Sequence, residues 1–537
     1  MFTATKQTTE STNIPSWVGG MDASSPLYGM AVQSCIYSYN LLPREYGMTV
    51  RPGTLEWANT VEGGDVKTVI PYNAPDSADA KLFCATSEGI YDISIPSQIN
   101  PPQALAWVST GGVAGEVYFT GYVNDATSFI LACDEENGYH TYSPGTGWIA
   151  GTLTNADGFT EGEAVFVMTW KNRAFFARKN SSRAYYLPVA AVAGATSSFD
   201  FGNRFSHGGY LKALYSWSID GGAGLDDYLV VVGSEGDCLV YQGTDPDSAT
   251  DFGLVGSFYL GKLPYGRKIA TQLGGDLLLL SVYGAISLRD LLRGTPIEQG
   301  NVYVTAKISK LVRGLMSTAS QLFGWSMQVY ANENLLIITV PVGATQRTIQ
   351  FAMDTTTKAW SFMRDMDILC CDVWQESMFF GYPDGQVFNF SGFSDKVLID
   401  ETPSIAIEYS VLGSFQDLGS PAIFKRAQFL RPTFRGGAIP AYSIKALYDY
   451  DFVEPLFSSD ANPSNAGVWQ SSGIVPPYAE DVSLWDSAAW SGALVPFNNV
   501  TGGIGMGRTM AVAIIGNAKS EQQLVDINIL WDAGGPL

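Results

Sequence analysis

The chain has 537 residues, 46% of them hydrophobic and only 15% charged, which supplies a large core, excludes extended disorder and, at ~100–200 residues per domain, excludes a single small module. Its 52 acidic against 31 basic residues give a formal net charge of -21. That balance argues against gripping a phosphate backbone or an anionic membrane with a broadly basic surface, and leaves solubility, repulsion of another polyanion, or cationic partners as its uses.

The opening residues, MFTATKQTTESTNIPSWVGG, are polar and lack the basic-then-apolar order of a secretory signal. Residues 1–48 are read as an N-terminal arm. Beyond them, short runs rich in Val, Ile, Tyr, Phe and Trp alternate with Gly, Asn, Asp and Pro, the pattern of strands joined by tight turns. Hairpins are expected over 81–93 (turn at Glu88-Gly89), 164–188 (Lys171-Asn172), 227–242 (Glu235-Gly236) and 268–288 (Gly274-Gly275). Two more follow at 325–340 and 347–363, and another at 378–390 with Asp384-Gly385 at its turn. Such units recur at intervals of roughly 40–50 residues, the size of a four-stranded propeller blade. Residues 49–402 are therefore expected to form a β-propeller of about six to eight blades, since one sheet cannot cover both its faces but a radial stack can.

One stretch, 301–323, interrupts the pattern. Ile308, Leu311, Val312 and Leu315 have helical spacing there, which predicts a short helical insertion, either packed on the propeller rim or offered to another chain. After residue 403 the strand-like runs lengthen, and 403–537 reads as a second, C-terminal β-rich domain closed by a strand pair at 507–516 and 523–532. The longest apolar stretch, 276–288, falls short of the ~18–20 residues that cross a bilayer, so no membrane-spanning segment is expected.

Little in the chain points to chemistry. The six cysteines, Cys35, Cys84, Cys133, Cys238, Cys370 and Cys371, show no CxxC spacing and are read as reduced structural thiols. Only His140 and His207 are present, which removes most triad and polyhistidine metal schemes. No nucleophile elbow, P-loop or dinucleotide fingerprint occurs. Asp220, Asp226 and Asp227 sit in a glycine-containing loop that suits either calcium or a solvated turn. Ser198, Asp200, Gly202 and Phe205 fit an S-x-D-x-G-x-x-[WF] Asp box, a structural hairpin turn of sialidase-like propellers. The expectation is no catalytic residue, no cofactor, no metal ligand and no enzymatic activity.

Several short motifs, in order, resemble a known family. Pro43–Arg44 opens a segment that closes with Arg51, Pro52, Gly53 and Thr54; residues 82–92 read LFCATSEGIYD; Trp170, Asn172 and Arg173 open W-x-N-R-x-F-F-A; residues 199–202 read FDFG; and Trp485, Asp486 and Trp490 form WD-x-x-x-W. Together they resemble the tail nozzle proteins of short-tailed bacteriophages (podoviruses), also called tail tubular protein B. The resemblance implies a structural protein of the virion tail, assembled in the host cytoplasm. It would form a homo-hexameric tube below the portal and its head-to-tail adaptor, with tail fibres or spikes as neighbours and transient, non-sequence-specific passage of double-stranded DNA. No motif marks residues that line the DNA lumen. A carbohydrate-binding or sialidase-like propeller at a cell surface is the alternative, because 52 acidic residues always offer carboxylate pairs.

Overall fold

Runs that are apolar on both faces must be covered on both, and here each is covered by the next sheet of a ring. The computed structural model describes residues 9–59, 64–74, 76–96, 115–124, 127–220, 225–248, 250–297, 302–343, 348–395, 404–452 and 494–536. Among these, seven antiparallel sheets follow one another as propeller blades. Blade 1 is Thr68–Tyr72, Lys81–Ala85 and Ile90–Asp92; blade 2 runs from Tyr118–Asn124 to Gly147–Ala150; blade 3 from Ala164–Trp170 to Ser197–Asp200; blade 4 from Leu211–Asp220 to Gly253–Tyr259. Blade 5 is Ala270–Leu273, Asp276–Ser281 and Gly284–Ser287, and blade 6 runs from Ser326–Tyr330 to Trp360–Met363. Blade 7 takes three strands from Cys370–Trp374, Ser377–Gly381 and Gln386–Phe390 and its fourth from Thr54–Asn59, which pairs with Gln386–Phe390. The ring is thus closed by hydrogen bonds between its first and last strands.

The hydrophobic clusters lie between consecutive blades. Ile70, Phe83, Ile130 and Tyr142 fill the gap between blades 1 and 2, Leu131, Phe176 and Tyr185 that between 2 and 3, and Trp170, Phe175, Leu229 and Tyr241 that between 3 and 4. Tyr330, Ile337, Met378 and Phe380 join blades 6 and 7. This radial stacking explains why strands such as Leu335–Pro341 are buried at every position instead of alternating.

The expected insertion contains the helix Ser309–Ala319 after a 3₁₀ turn at Ala306–Ile308. Val312, Met316 and Ala319 are buried against the core beside blades 5 and 6, with Leu311 and Leu315 packed at its margin. Its apolar stripe is therefore spent on its own propeller.

The second domain is a two-layered β-sandwich. A long sheet contains Ile423–Gly436 and Gln522–Pro536 with Thr9–Pro15, Leu41–Arg44, Gly47–Val50, Val495–Asn498 and Thr501–Gly502. The facing layer contains Ser34–Tyr39, Ile407–Gly413, Met510–Ala518 and Ala441–Tyr448. Trp17, Leu430, Ile514, Ile527 and Trp531 are buried between them. Two expectations are corrected. The described part of the N-terminal segment is no separate arm: four of the strands just named lie within residues 9–50, and the short Gly20–Met21 pairs with one of them, Ser34–Tyr39. And 507–516 does not pair with 523–532, because Met510–Ala518 and Gln522–Pro536 lie in opposite layers and take partners from elsewhere in the chain. A short-range pairing argument fails here because the chain crosses from one layer to the other between the two strands, so each pairs with strands distant in sequence. Blade 6 merges with the facing layer through the parallel pair Tyr39 and Phe362.

Candidate functional site

The first motif, Arg51 to Thr54, sits where the chain leaves the sandwich to enter blade 7. Arg51 is fully buried, with a bidentate pair to Asp395 at 3.0 and 2.7 Å. Its Nη1 also donates to the Pro52 carbonyl at 3.0 Å, and its Nε to Asn40 Oδ1 at 3.1 Å. The Thr54 N–H and hydroxyl donate to the same Asp395 oxygen at 3.0 and 2.9 Å. Gly53 is required by proximity, since a Cβ there would lie 2.2 Å from the Ser394 carbonyl oxygen. Asn40, in the left-handed region at φ 57°, completes the clasp: its Oδ1 accepts from the Arg364 N–H at 2.7 Å and its Nδ2 donates to the Glu408 carbonyl at 2.7 Å. Three passes of the chain are therefore locked at one point. Beside the clasp lies an open cleft of about 630 Å³ whose wall includes Asp365, Asp367, Asp384, Asp395 and Glu408. Among the described residues no group of three or more His, Cys, Asp or Glu is placed to hold a metal ion.

The motif that opens at Trp170 forms a hairpin of blade 3. Lys171 and Asn172 both have positive φ, 48° and 55°, the geometry of a type I′ turn. Trp170 is buried against Phe175 and Phe252, with ring centroids 5.8 and 6.0 Å away. Arg173 pairs with Asp245 at 3.4 Å and stands over the Tyr186 ring. The Asn172 carbonyl accepts from the Tyr122 hydroxyl at 3.0 Å, tying blade 3 to blade 2. The two motifs occupy different blades, and both are framework. Trp485, Asp486 and Trp490 lie outside the described residues.

The other candidates are engaged in local bonds. Asp200 Oδ1 accepts from the Gly202 N–H at 2.8 Å and Ser182 Oγ at 2.7 Å, as an Asp-box turn would. Asp227 holds Lys171 at 2.7 Å and Ser218 at 2.5 Å, so the lysine, first, and then the hydroxyl keep its carboxyl below the ordinary range; the side chains of Asp220 and Asp226 lie outside the described residues. His207 Nδ1 lies 2.9 Å from Asp237, and its ring stacks on Tyr259. His140 is held below the ordinary imidazole range by burial.

All six cysteines are free and buried. Burial pushes the Cys238 and Cys370 thiols up to about 12 and the others higher still, which leaves almost no thiolate near neutrality. The adjacent Cys370 and Cys371 point into different clusters. We therefore expect an aromatic disulfide reagent to titrate no thiol in the native protein and all six after denaturation; rapid modification of any one in the folded state would contradict this arrangement.

Two features at the propeller axis left no motif. At one mouth, Glu116, Lys212 and Arg267 are all buried. Arg267 pairs with Glu135 at 2.9 Å and donates to the Lys212 carbonyl, while Lys212 Nζ donates to the Pro264 carbonyl at 2.6 Å. Burial pushes the Glu116 carboxyl up to about 8, against the pull of Lys67 and Arg267. Burial likewise drives the Lys212 amine down to about 8, helped by Arg267. The space beside Glu116 and Arg267 is about 30 Å³, room for a water and no substrate. Along the axis itself runs a channel of about 390 Å³ lined from six blades, with Phe119, Thr169, Tyr215, Gln272, Met327 and Asp372 among its walls. Lys268 stands over the Phe119 ring at 4.9 Å within it. The one sequence signal for these groups was charge adjoining inner-strand apolar runs, as in Leu211-Lys212-Ala213 and Arg267-Lys268-Ile269.

No family model matches the chain, and no curated protein matches it. Among solved structures, YCF48 bound to a D1 peptide is similar at 9% identity and a TM-score of 0.36, over 65% of this chain and 97% of that one. Raptor from Chaetomium thermophilum is similar at 10% identity and a TM-score of 0.40, over 67% of this chain and 30% of that one. At such values the propeller rests on this chain's own strand pairing.

Proposed function

We propose that this chain is a non-enzymatic structural subunit: the tail nozzle of a short-tailed bacteriophage, assembling as a homo-hexamer into the conduit below portal and adaptor through which the genome leaves the virion. The observation that carries the reading is the ordered set of nozzle-like motifs. What supports it is that Arg51–Thr54 and Trp170–Arg173 occupy framework positions, a clasp between domains and a tie between blades, as motifs of a building block should.

The acidity then has a mechanical use. Six copies of -21 carry -126 formal charges, and wherever that charge lines a bore it repels a duplex bearing one charge per ~1.7 Å. Contacts stay transient because screening confines attraction or repulsion to within ~8–10 Å of the wall. Light scattering under virion-like salt is the test: a particle near six times 57.9 kDa is expected, and absence of the polypeptide from purified phage would end the proposal. The axial channel, with its aromatic and amide lining, favours carbohydrate binding as the second reading; a glycan array that saturates on a defined sugar would favour it over the conduit.

A further inference from the structure

The axial channel carries charge that a packed core does not need. Its wall is built from the inner strands of the blades, among them Tyr118–Asn124, Ala164–Trp170, Leu211–Asp220, Ala270–Leu273, Ser326–Tyr330 and Cys370–Trp374. Where the inner strands begin, the space between them shrinks to about 30 Å³ beside Glu116 and Arg267. Farther along it widens to about 390 Å³, and Gln272 on its wall is exposed. The channel is thus a well that narrows toward Glu116 and widens toward Gln272.

The charged side chains on this wall are Arg267, Lys268 and Asp372. Arg267 is already matched by Glu135 and by the Lys212 carbonyl. The other two are not. Among the described residues Lys268 makes no ion pair and stands over the Phe119 ring, while Asp372 accepts only from the Val373 N–H, at 2.8 Å. Burial pushes the Asp372 carboxyl up and Lys268 pulls it back, so the two charges act on each other across the well without meeting.

Around them the wall is aromatic and apolar, with Phe119, Tyr215, Met168, Leu214 and Met327, and the Tyr215 hydroxyl is fixed by donating to the Arg267 carbonyl. A cavity of this size, mainly apolar with a few convergent polar groups, has the make-up of a small-molecule site. The two unmatched charges select its ligand. A phosphate ester would meet Lys268 and be repelled by Asp372, and a polyamine would meet Asp372 and be repelled by Lys268. A neutral sugar would satisfy the amides and leave both charges without a counter-ion. One ammonium and one carboxylate on a small skeleton answer both, bring no net charge into a poorly solvated space, and leave the apolar wall for a side chain.

We propose that the axial well binds a free α-amino acid with an apolar or aromatic side chain, its carboxylate on Lys268, its ammonium on Asp372 and its side chain among Phe119, Tyr215 and Met327. The site is independent of the hexamer reading and competes with the carbohydrate reading for the same space.

The test is calorimetric titration of the full chain with L-phenylalanine and L-methionine, beside hydrocinnamate and phenethylamine, which keep one charge each, and glucose, which keeps none. At least one amino acid should saturate a single site, and each single-charge analogue should bind at least about tenfold more weakly, because each forgoes one charge-assisted contact. Asp372→Asn should weaken the amino acid by about tenfold and leave hydrocinnamate no weaker; Lys268→Met should do the same while sparing phenethylamine. Both variants are first matched to wild type in thermal unfolding, and the analogue series on wild type decides even where a variant fails to fold. No saturation by either amino acid, or equal affinity for the single-charge analogues, overturns the assignment. Saturation by glucose in place of the amino acids overturns it as well and supports the carbohydrate reading. Particle size in light scattering is read separately, so the hexamer reading stands or falls apart from these outcomes.

Discussion

Replacing Arg51 by methionine should lower the stability of the protein by about 3–5 kcal/mol, the cost of removing one partner from a buried ion pair. The arginine is wholly enclosed and spends its guanidinium on Asp395, Asn40 and the Pro52 carbonyl, while Asp395 also serves Thr54. Deleting the cation strands a carboxylate beside other acids of the cleft, Asp365, Asp367 and Glu408. Asp395→Asn in the same background should restore part of the loss, because the stranded charge is then gone. Equilibrium denaturation reads both. The clasp also joins sandwich to propeller, so the Arg51 variant should unfold in two resolved transitions where the parent unfolds in one. A loss below about 1 kcal/mol, the range of exposed pairs, would show that the clasp does not hold the domains.

The second large effect concerns pH. Folded Glu116 keeps its proton to about pH 8, whereas the unfolded carboxyl releases it near 4.5. Between those values the folded state binds the extra proton, so this group makes stability fall as pH rises through the window. Folded Lys212 loses its proton at about 8 and the unfolded amine at 10.5. There the unfolded state binds more protons, so stability recovers as pH rises from about 8 to 10.5. The two groups together contribute a minimum near pH 8. Glu116→Gln removes the falling limb, on the order of 3–5 kcal/mol between pH 4.5 and 8. The check is the difference in unfolding free energy between variant and parent measured at pH 5 and pH 8.5. Parallel pH profiles for the two proteins would rule this assignment out.

Much of the propeller could be read from residues alone because its signals are local. Lys171-Asn172 and Asp384-Gly385 turn where the chain says they should, and a continuous run such as Leu335–Pro341 can only be a strand covered on both faces. The same local logic found the helix at Ser309–Ala319. It failed for residues 9–50, whose short strands pair with residues as distant as Asp532 and Gly413. It also failed at 510–518 and 522–536, which are neighbours in sequence and partners of other strands. Arg51 to Thr54 was singled out as a motif, but Asp395 and Asn40, which give it a function, carry no signature.

By itself, then, the sequence determined the repeating unit, the acidity, the absence of recognised catalytic motifs and the buried, unpaired state expected of its cysteines, since each depends on composition or on residues a few positions apart. Tertiary structure decided how the ring closes, that strands from both ends of the chain build one sandwich, and which charges meet at the axis. Those outcomes depend on contacts between residues hundreds of positions apart, and pairing at that range is selected by the packing of whole sheets, which no local pattern encodes.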